Sequence, residues 1–203
     1  MDAQDTVHEI MDASLYDSLI RAIVPTHPVL LSFMVDSLPE KCERILELGC
    51  GTGILTGMLV DACPNAKVTA IDISGAMIRQ ARSRPELRSV TFMTCDLRDP
   101  WPGDTFDAVV TALCLHHVSP KDREKTASRA ADCLSPGGRF ICGDIFRAGT
   151  PFEEERLTGY WERAMRRNGA PEHIVAGMLR QRRNNAPLFS TVAGFREMLA
   201  RAG

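Results

Sequence analysis

Residues 44–53 read Arg44-Ile45-Leu46-Glu47-Leu48-Gly49-Cys50-Gly51-Thr52-Gly53. Arg44 to Leu48 has the short apolar pattern of a strand buried in a parallel sheet, and Ile54 to Ala62 reads as a helix that stops before Pro64. Between them, three glycines stand at alternate positions. Glycine lets a backbone turn sharply and lie close against a ligand. The helix start beyond them presents N–H groups without intrahelical partners, suited to a carboxylate or a phosphate. Dinucleotide-binding loops carry the related spacing GxGxxG, but Ile54 takes the place of their third glycine. The GxGxG spacing disfavours a nicotinamide dinucleotide.

Outward from this stretch, strands and helices alternate. Lys67 to Ile71 is a second strand ending in Asp72, and Ser74 can cap a helix running to about Ser83. Val90 to Thr94 is a third strand ending at Cys95-Asp96, and Phe106 to Ala112 a fourth. Ser119-Pro120-Lys121-Asp122 is a strong helix start, with serine at the cap, proline in the first turn and an acid three residues on. That helix ends near Leu134, and Pro136-Gly137-Gly138 turns the chain into a fifth strand, Arg139 to Phe146. Such alternation predicts a parallel sheet with helices on both faces. Before the first strand, Leu15, Leu19, Ile20 and Ile23 recur at helical spacing, Pro25 interrupts, and Val29 to Leu38 reads as a second helix. After the fifth, Thr150-Pro151 opens a helix with Glu153, Glu154 and Glu155 first and Arg163, Arg166 and Arg167 last, a gradient that complements the helix dipole. Gly169 stops it, Pro171 starts another ending at Arg180-Gln181-Arg182-Arg183, and a last helix spans about Thr191 to Ala202. The expected organisation is a helical lid over residues 1–40, a ligand-binding core over 41–147, and helices on the acceptor side of the core over 148–203.

The 203 residues suit one domain, and 44% hydrophobic content is enough for a core. A formal charge of −2 gives no electrostatic case for nucleic acid as the main partner. Seven cysteines, scattered at long intervals without a CxxC pair or Cys/His cluster, read as core thiols of a reducing cytoplasm and suggest no metal. The first ten residues are acidic and lack a hydrophobic signal segment, and no apolar stretch approaches the ~20 residues that span a bilayer.

Asp72, at the tip of the second strand, can accept from both hydroxyls of a ribose, or can simply cap the helix that follows. Asp96 can take an adenine amino group with Leu97 offering its N–H, or can shape a turn.

Taken together these stretches resemble the class I S-adenosylmethionine-dependent methyltransferases over about residues 42–146. ILELGCGTG (45–53) is similar to that family's first motif, AIDIS (70–74) to its acidic strand-2 motif and TCDLRD (94–99) to its adenine-side motif. FDAVVTALCLHHV (106–118) and LSPGGRF (134–140) resemble the strand-4 and pre-strand-5 motifs. The resemblance implies a doubly wound α/β sheet in the order 3-2-1-4-5. It implies S-adenosylmethionine as methyl donor: its methionine end near Glu47, Gly49, Cys50 and Gly51, its ribose at Asp72, its adenine near Ile73, Asp96 and Leu97. The Thr111-Ala112 backbone would lie beside its amino group, and Tyr16-Asp17 resembles a segment that closes over the donor. Family members continue past the last helix into two antiparallel strands. The sequence stops at Ala202-Gly203, where that hairpin would begin, so a truncated form without it is expected.

The implied reaction is methyl transfer to a small-molecule acceptor, in a pocket that Tyr160, Trp161 and Met165 are candidates to line. A hydroxyl or amine acceptor needs a base, for which His117 or His116, after the fourth strand, are the candidates. A looser resemblance, to the carboxy-S-adenosylmethionine synthases of tRNA modification, would give Arg182 or Arg183 an extra cofactor carboxylate to hold. A non-catalytic donor-binding partner protein is a third reading, and a homodimer is compatible with the sequence.

Overall fold

A computed structural model describes residues 13–202, so the acidic start of the chain lies outside the described residues. Five strands, β1 (Arg44–Leu48), β2 (Lys67–Asp72), β3 (Thr91–Thr94), β4 (Phe106–Ala112) and β5 (Leu134–Gly143), form one sheet in the order β3-β2-β1-β4-β5. All four neighbouring pairs are parallel. Both faces are covered, so the strands are apolar on both sides. Leu46, Leu48, Ile71 and Val109 face one layer, and Ile45, Val68 and Val110 the other. Leu48 stands level with Ile71 on one side and Thr111 on the other, which brings the carboxyl ends of β1, β2 and β4 together. There the chain reverses its winding direction, and such a switch point opens a crevice for ligands.

Helices α3 (Ile54–Ala62), α4 (Gly75–Arg82) and α5 (Pro120–Cys133) connect the strands. Ser74 and Ser119 cap α4 and α5 by accepting from Met77 N and Asp122 N. Two helices precede the sheet, α1 (Ala13–Ile23) and α2 (His27–Asp36), with a 93° bend between them. Leu31 and Met34 of α2 pack on the sheet. Three helices follow: α6 (Pro151–Arg167), α7 (Glu172–Asn185) and α8 (Val192–Ala202). The charge gradient of α6 is present, with a Thr150/Glu153 capping box at one end and Arg166 paired with Glu162 and Glu172 at the other. Ile23 of α1 packs with Met165, Ile174 and Val175, so α1, α6 and α7 share a core beside the sheet. Among the described residues no single helix is long and apolar enough to cross a membrane.

Two expectations need correction. Strand β5 ends at Gly143, not Phe146, because the Asp144 carboxylate accepts from the N–H groups of His116 and Ile145 and turns the chain away. It also starts earlier, at Leu134, with its ladder jumping from Phe106↔Leu134 to Ala108↔Arg139 so that the Pro-Gly-Gly turn bulges out. All seven cysteines are free and sit in or against the core clusters as expected, Cys50 buried and the other six half-buried.

Candidate functional site

The glycine loop closes over the end of β2. Gly49 N and Cys50 N both donate to Ile71 O, at 2.8 and 3.0 Å. Gly49, Gly51 and Gly53 all have positive φ, but the space around them differs. A Cβ on Gly49 would stand 2.2 Å from Cys114 Sγ, and one on Gly53 2.7 Å from Leu87 Cδ1. Nothing lies within 4 Å of a Cβ on Gly51. The outer glycines are packed against protein, and the middle one faces an open slot.

Two acids border that slot. Asp72, 7% exposed, accepts from Gly51 N through Oδ2 and from Ser74 N through Oδ1, both at 2.8 Å. Glu47 is 2% exposed and accepts from Thr56 Oγ1 at 2.6 Å. Burial pushes its carboxyl up to about 8, against the opposing pull of the Thr56 bond. Glu47 therefore carries its proton at neutral pH.

Helix α1 crosses the same loop. Asp17 accepts from Thr52 Oγ1 at 2.5 Å and pairs with Arg84, whose Nε also donates to Thr52 O at 2.7 Å. Tyr16 beside it is half-buried, and desolvation with the nearby Asp72 charge raises its phenol to about 12. On the far side of Asp72, Ile73 is exposed and Leu97 buried. Asp96 accepts a two-pronged bond from Arg98, which holds its carboxyl below the usual range.

A second cavity opens beyond β4, with about 640 Å³ of empty space counting its mouth. Leu113, in the left-handed region at φ 50°, follows the last residue of β4, and its N–H donates to Gly143 O at 2.7 Å. Strain of this kind gathers at functional sites. Leu113 and Tyr16 border both the slot and the cavity. The rest of the cavity wall includes Ile23, His116, His117, Trp161, Met178 and Phe189. Trp161 is fixed by an Nε1–H bond to Ile23 O at 2.6 Å. His116 donates from its backbone N to Asp144 Oδ2 at 3.0 Å and contacts Oδ1 through Nδ1 at 2.5 Å, while the His117 ring lies 3.9 Å from its own.

Residues 45–138 match the model of a methyltransferase domain family. The demethylmenaquinone methyltransferase of Symbiobacterium thermophilum is 34% identical over 166 residues, covering 78% of this chain and 61% of that protein. Residues 45–138 of the chain are therefore a methyltransferase domain similar to those of the class I S-adenosylmethionine-dependent enzymes. The chain spans about half to three-fifths of the length of the first curated relatives it matches. Among solved structures, the DhpI–SAH complex is 26% identical with a TM-score of 0.59, covering 71% of this chain and 68% of that one. The plantazolicin methyltransferase BpumL, bound to a monoazolic desmethylPZN analog and SAH, has the same fold at a TM-score of 0.70 and 16% identity, covering 98% and 72%.

Tyr16, Glu47, Gly49, Cys50, Gly51 and Ala112 come together around the slot. Asp72 borders it through its bond to Gly51. Thr111 does not line it: it is held in the sheet between Leu48 and Cys142, and Leu113 takes its place. Trp161 reaches the second cavity, but Tyr160, one position round the helix, is 57% exposed and faces a different cleft. Met165 is fully buried in the core shared by α1, α6 and α7. Arg182 borders the cavity but is bound to Glu154 at 2.7 Å and lies over the Trp161 ring, whereas Arg183 is exposed. Sequence reading missed Arg84, Arg98, Arg123 and Asp144. The Asp96-x-Arg98 spacing was a local signal; the contacts of Arg84 with Asp17 and Thr52, of Arg123 with Leu188 and Ser190, and of Asp144 with His116 span 28 or more residues of chain.

Proposed function

We propose that the chain binds S-adenosylmethionine across the carboxyl ends of β1, β2 and β3 and transfers its methyl group to a small apolar molecule in the cavity beyond Tyr16. The single observation that carries this reading is the wall, Tyr16 and Leu113, shared by slot and cavity. Slot and cavity adjoin there, so a shift of the Tyr16 or Leu113 side chain would bring donor methyl and acceptor to the ~3–3.5 Å that in-line transfer needs.

The residues present fit the donor. The open face of Gly51 leaves room for the methionine end, bordered by Glu47, Gly49 and Cys50. Each Asp72 oxygen accepts a single backbone bond. A carboxylate has about four acceptor directions, so two remain for ribose hydroxyls. Ile73 offers an exposed apolar surface for the adenine, with Asp96 and Leu97 at its edge. When bound, the donor supplies an electrophilic methyl on a sulfonium that needs no further activation. The chain supplies alignment, which is worth up to ~7–11 kcal/mol of barrier, and shields the reactants from water with a lid made by α1 and α2. Residues 41–147 then hold the donor, and residues 148–203 build the acceptor side. Of the two arginines considered for an extra cofactor carboxylate, Arg182 is already bound to Glu154, and Arg183 is exposed and borders neither the slot nor the cavity.

Calorimetric titration with S-adenosylmethionine and S-adenosylhomocysteine tests the donor site. Transfer of a labelled methyl group into a metabolite extract tests the reaction. A folded chain that binds neither nucleoside defeats the proposal.

A further inference from the structure

We infer that His116, oriented by Asp144, takes the proton from the acceptor, and that the acceptor is a neutral aryl hydroxyl. The inference rests on the proposed methyl transfer and names the chemistry of its second substrate.

Several contacts hold the imidazole still. Asp144, with a side chain only 5% exposed, receives the His116 backbone N–H and Nδ1, and also the Ile145 N–H at 2.7 Å. With Nδ1 bound to a carboxylate, the ring is fixed in the tautomer that leaves Nε2 as the acceptor. The His117 ring lies tilted against one side of it at 3.9 Å, and Phe189 meets it edge-on at 6.1 Å. The turn that carries it is clamped by Arg123 of α5, whose buried guanidinium donates to Leu115 O, Val118 O, Leu188 O and Ser190 Oγ. A turn that needed only closing has its backbone bond to Asp144 already. The second bond, at Nδ1, controls ring orientation and tautomer, and the ring so controlled borders the cavity.

The cavity selects among acceptors. No carboxylate borders it among the described residues, so a cationic amine finds no counter-charge. Its one arginine, Arg182, is neutralised by Glu154, so a carboxylate acceptor finds no free cation. Trp161, Phe189, Met178 and Ile23 suit a flat apolar body. A neutral O–H acidic enough for an imidazole to remove in the transition state is an aryl hydroxyl. In the step, the acceptor O–H bond breaks and its proton passes to His116 Nε2. The oxygen lone pair forms the new O–CH3 bond as the C–S bond breaks. That pair stays on sulfur, which becomes a neutral thioether, and Asp144 balances the imidazolium charge. The other titratable groups facing this pair are Tyr16, His117 and Arg182 across the cavity, and Cys114, Cys142 and Arg123 behind Asp144.

The probe is 4-nitrophenol, whose ionisation is visible, added to the full chain saturated with S-adenosylhomocysteine. Wild type is expected to bind it saturably, with a larger phenolate fraction than buffer at the same neutral pH. Proton NMR of the same sample is expected to show a low-field Nδ1–H resonance that shifts on phenol addition. Asp144→Asn is expected to lose that resonance and most of the extra phenolate. His116→Gln is expected to bind S-adenosylhomocysteine within about twofold of wild type, yet bind the phenolate at least about tenfold more weakly. Absence of saturable phenol binding, extra phenolate undiminished in His116→Gln, or no response of the wild-type resonance each overturns the inference. Should His116→Gln misfold, the wild-type resonance and Asp144→Asn decide alone. Failure of wild type to bind S-adenosylhomocysteine instead removes the proposed function beneath it.

Discussion

Asp72 and Glu47 are neighbouring buried acids with different partners. Asp72 is bonded by two backbone N–H groups, whereas Glu47 has one hydroxyl for company and keeps its proton. Asp72→Ala is expected to weaken S-adenosylhomocysteine binding by about a hundredfold or more by calorimetry, since it removes two charge-assisted bonds worth about 1.5–3 kcal/mol each. Glu47 has a different signature. Its folded value of about 8 lies above the unfolded carboxylate range, so its contribution to stability is full below about pH 4.3 and is lost as pH rises through about 8. Within that window it contributes a slope of up to about 1.4 kcal/mol per pH unit. Glu47→Gln should flatten this part of the stability–pH curve, and urea melts across the window would show it; an unchanged slope contradicts a buried protonated acid. Asp72 was legible because it sits at a strand end before a serine-capped helix, and Glu47 through the resemblance of residues 45–53 to a family motif. The difference between them was not, because it depends on Thr56 and on backbone bonds that only folding creates.

At the level of elements, the glycine loop separates packing from binding. Gly49→Ala puts a Cβ into Cys114 and is expected to lower the melting temperature by several degrees, a cost of about 2 kcal/mol or more. Gly51→Ala meets no protein atom, so its fold cost is the ~1–2 kcal/mol of a left-handed alanine, while its methyl enters the slot and should abolish donor binding. Equal thermal losses with donor affinity intact at Gly51 would mean that the slot lies elsewhere. Helix α1 is tied to this loop by Asp17, and Asp17→Ala is expected to speed amide exchange across α1 while leaving β1, β2 and β4 as protected as before. Strand and helix positions were readable because periodicity, Ser119-Pro120 and Thr150-Pro151 are local signals. The end of β5 was misread because it is set by Asp144 reaching back 28 residues to His116, and Tyr160 because α6 presents Trp161 inward instead.

For the molecule as a whole, the strand order followed from five motifs occurring in sequence, but the way the late helices join the sheet did not. Phe195 and Met198 of α8 enter the main core, and Phe195 meets Phe146 edge-on at 5.3 Å. Phe195→Ala should cost about 3–5 kcal/mol by denaturant titration; a loss below about 1 kcal/mol would make α8 an ornament of the fold. Helix α1 reaches in the other direction, packing against α6 and α7 while placing Tyr16 where both compartments begin. A partition of that kind forces conversation between whatever stands on its two sides. Occupancy of one room resets the wall of the other, so the nucleoside and the phenol probe should tighten or loosen each other by one common factor. Trimming that single ring, in Tyr16→Ala, should bring the factor to unity and leave two tenants with no knowledge of each other.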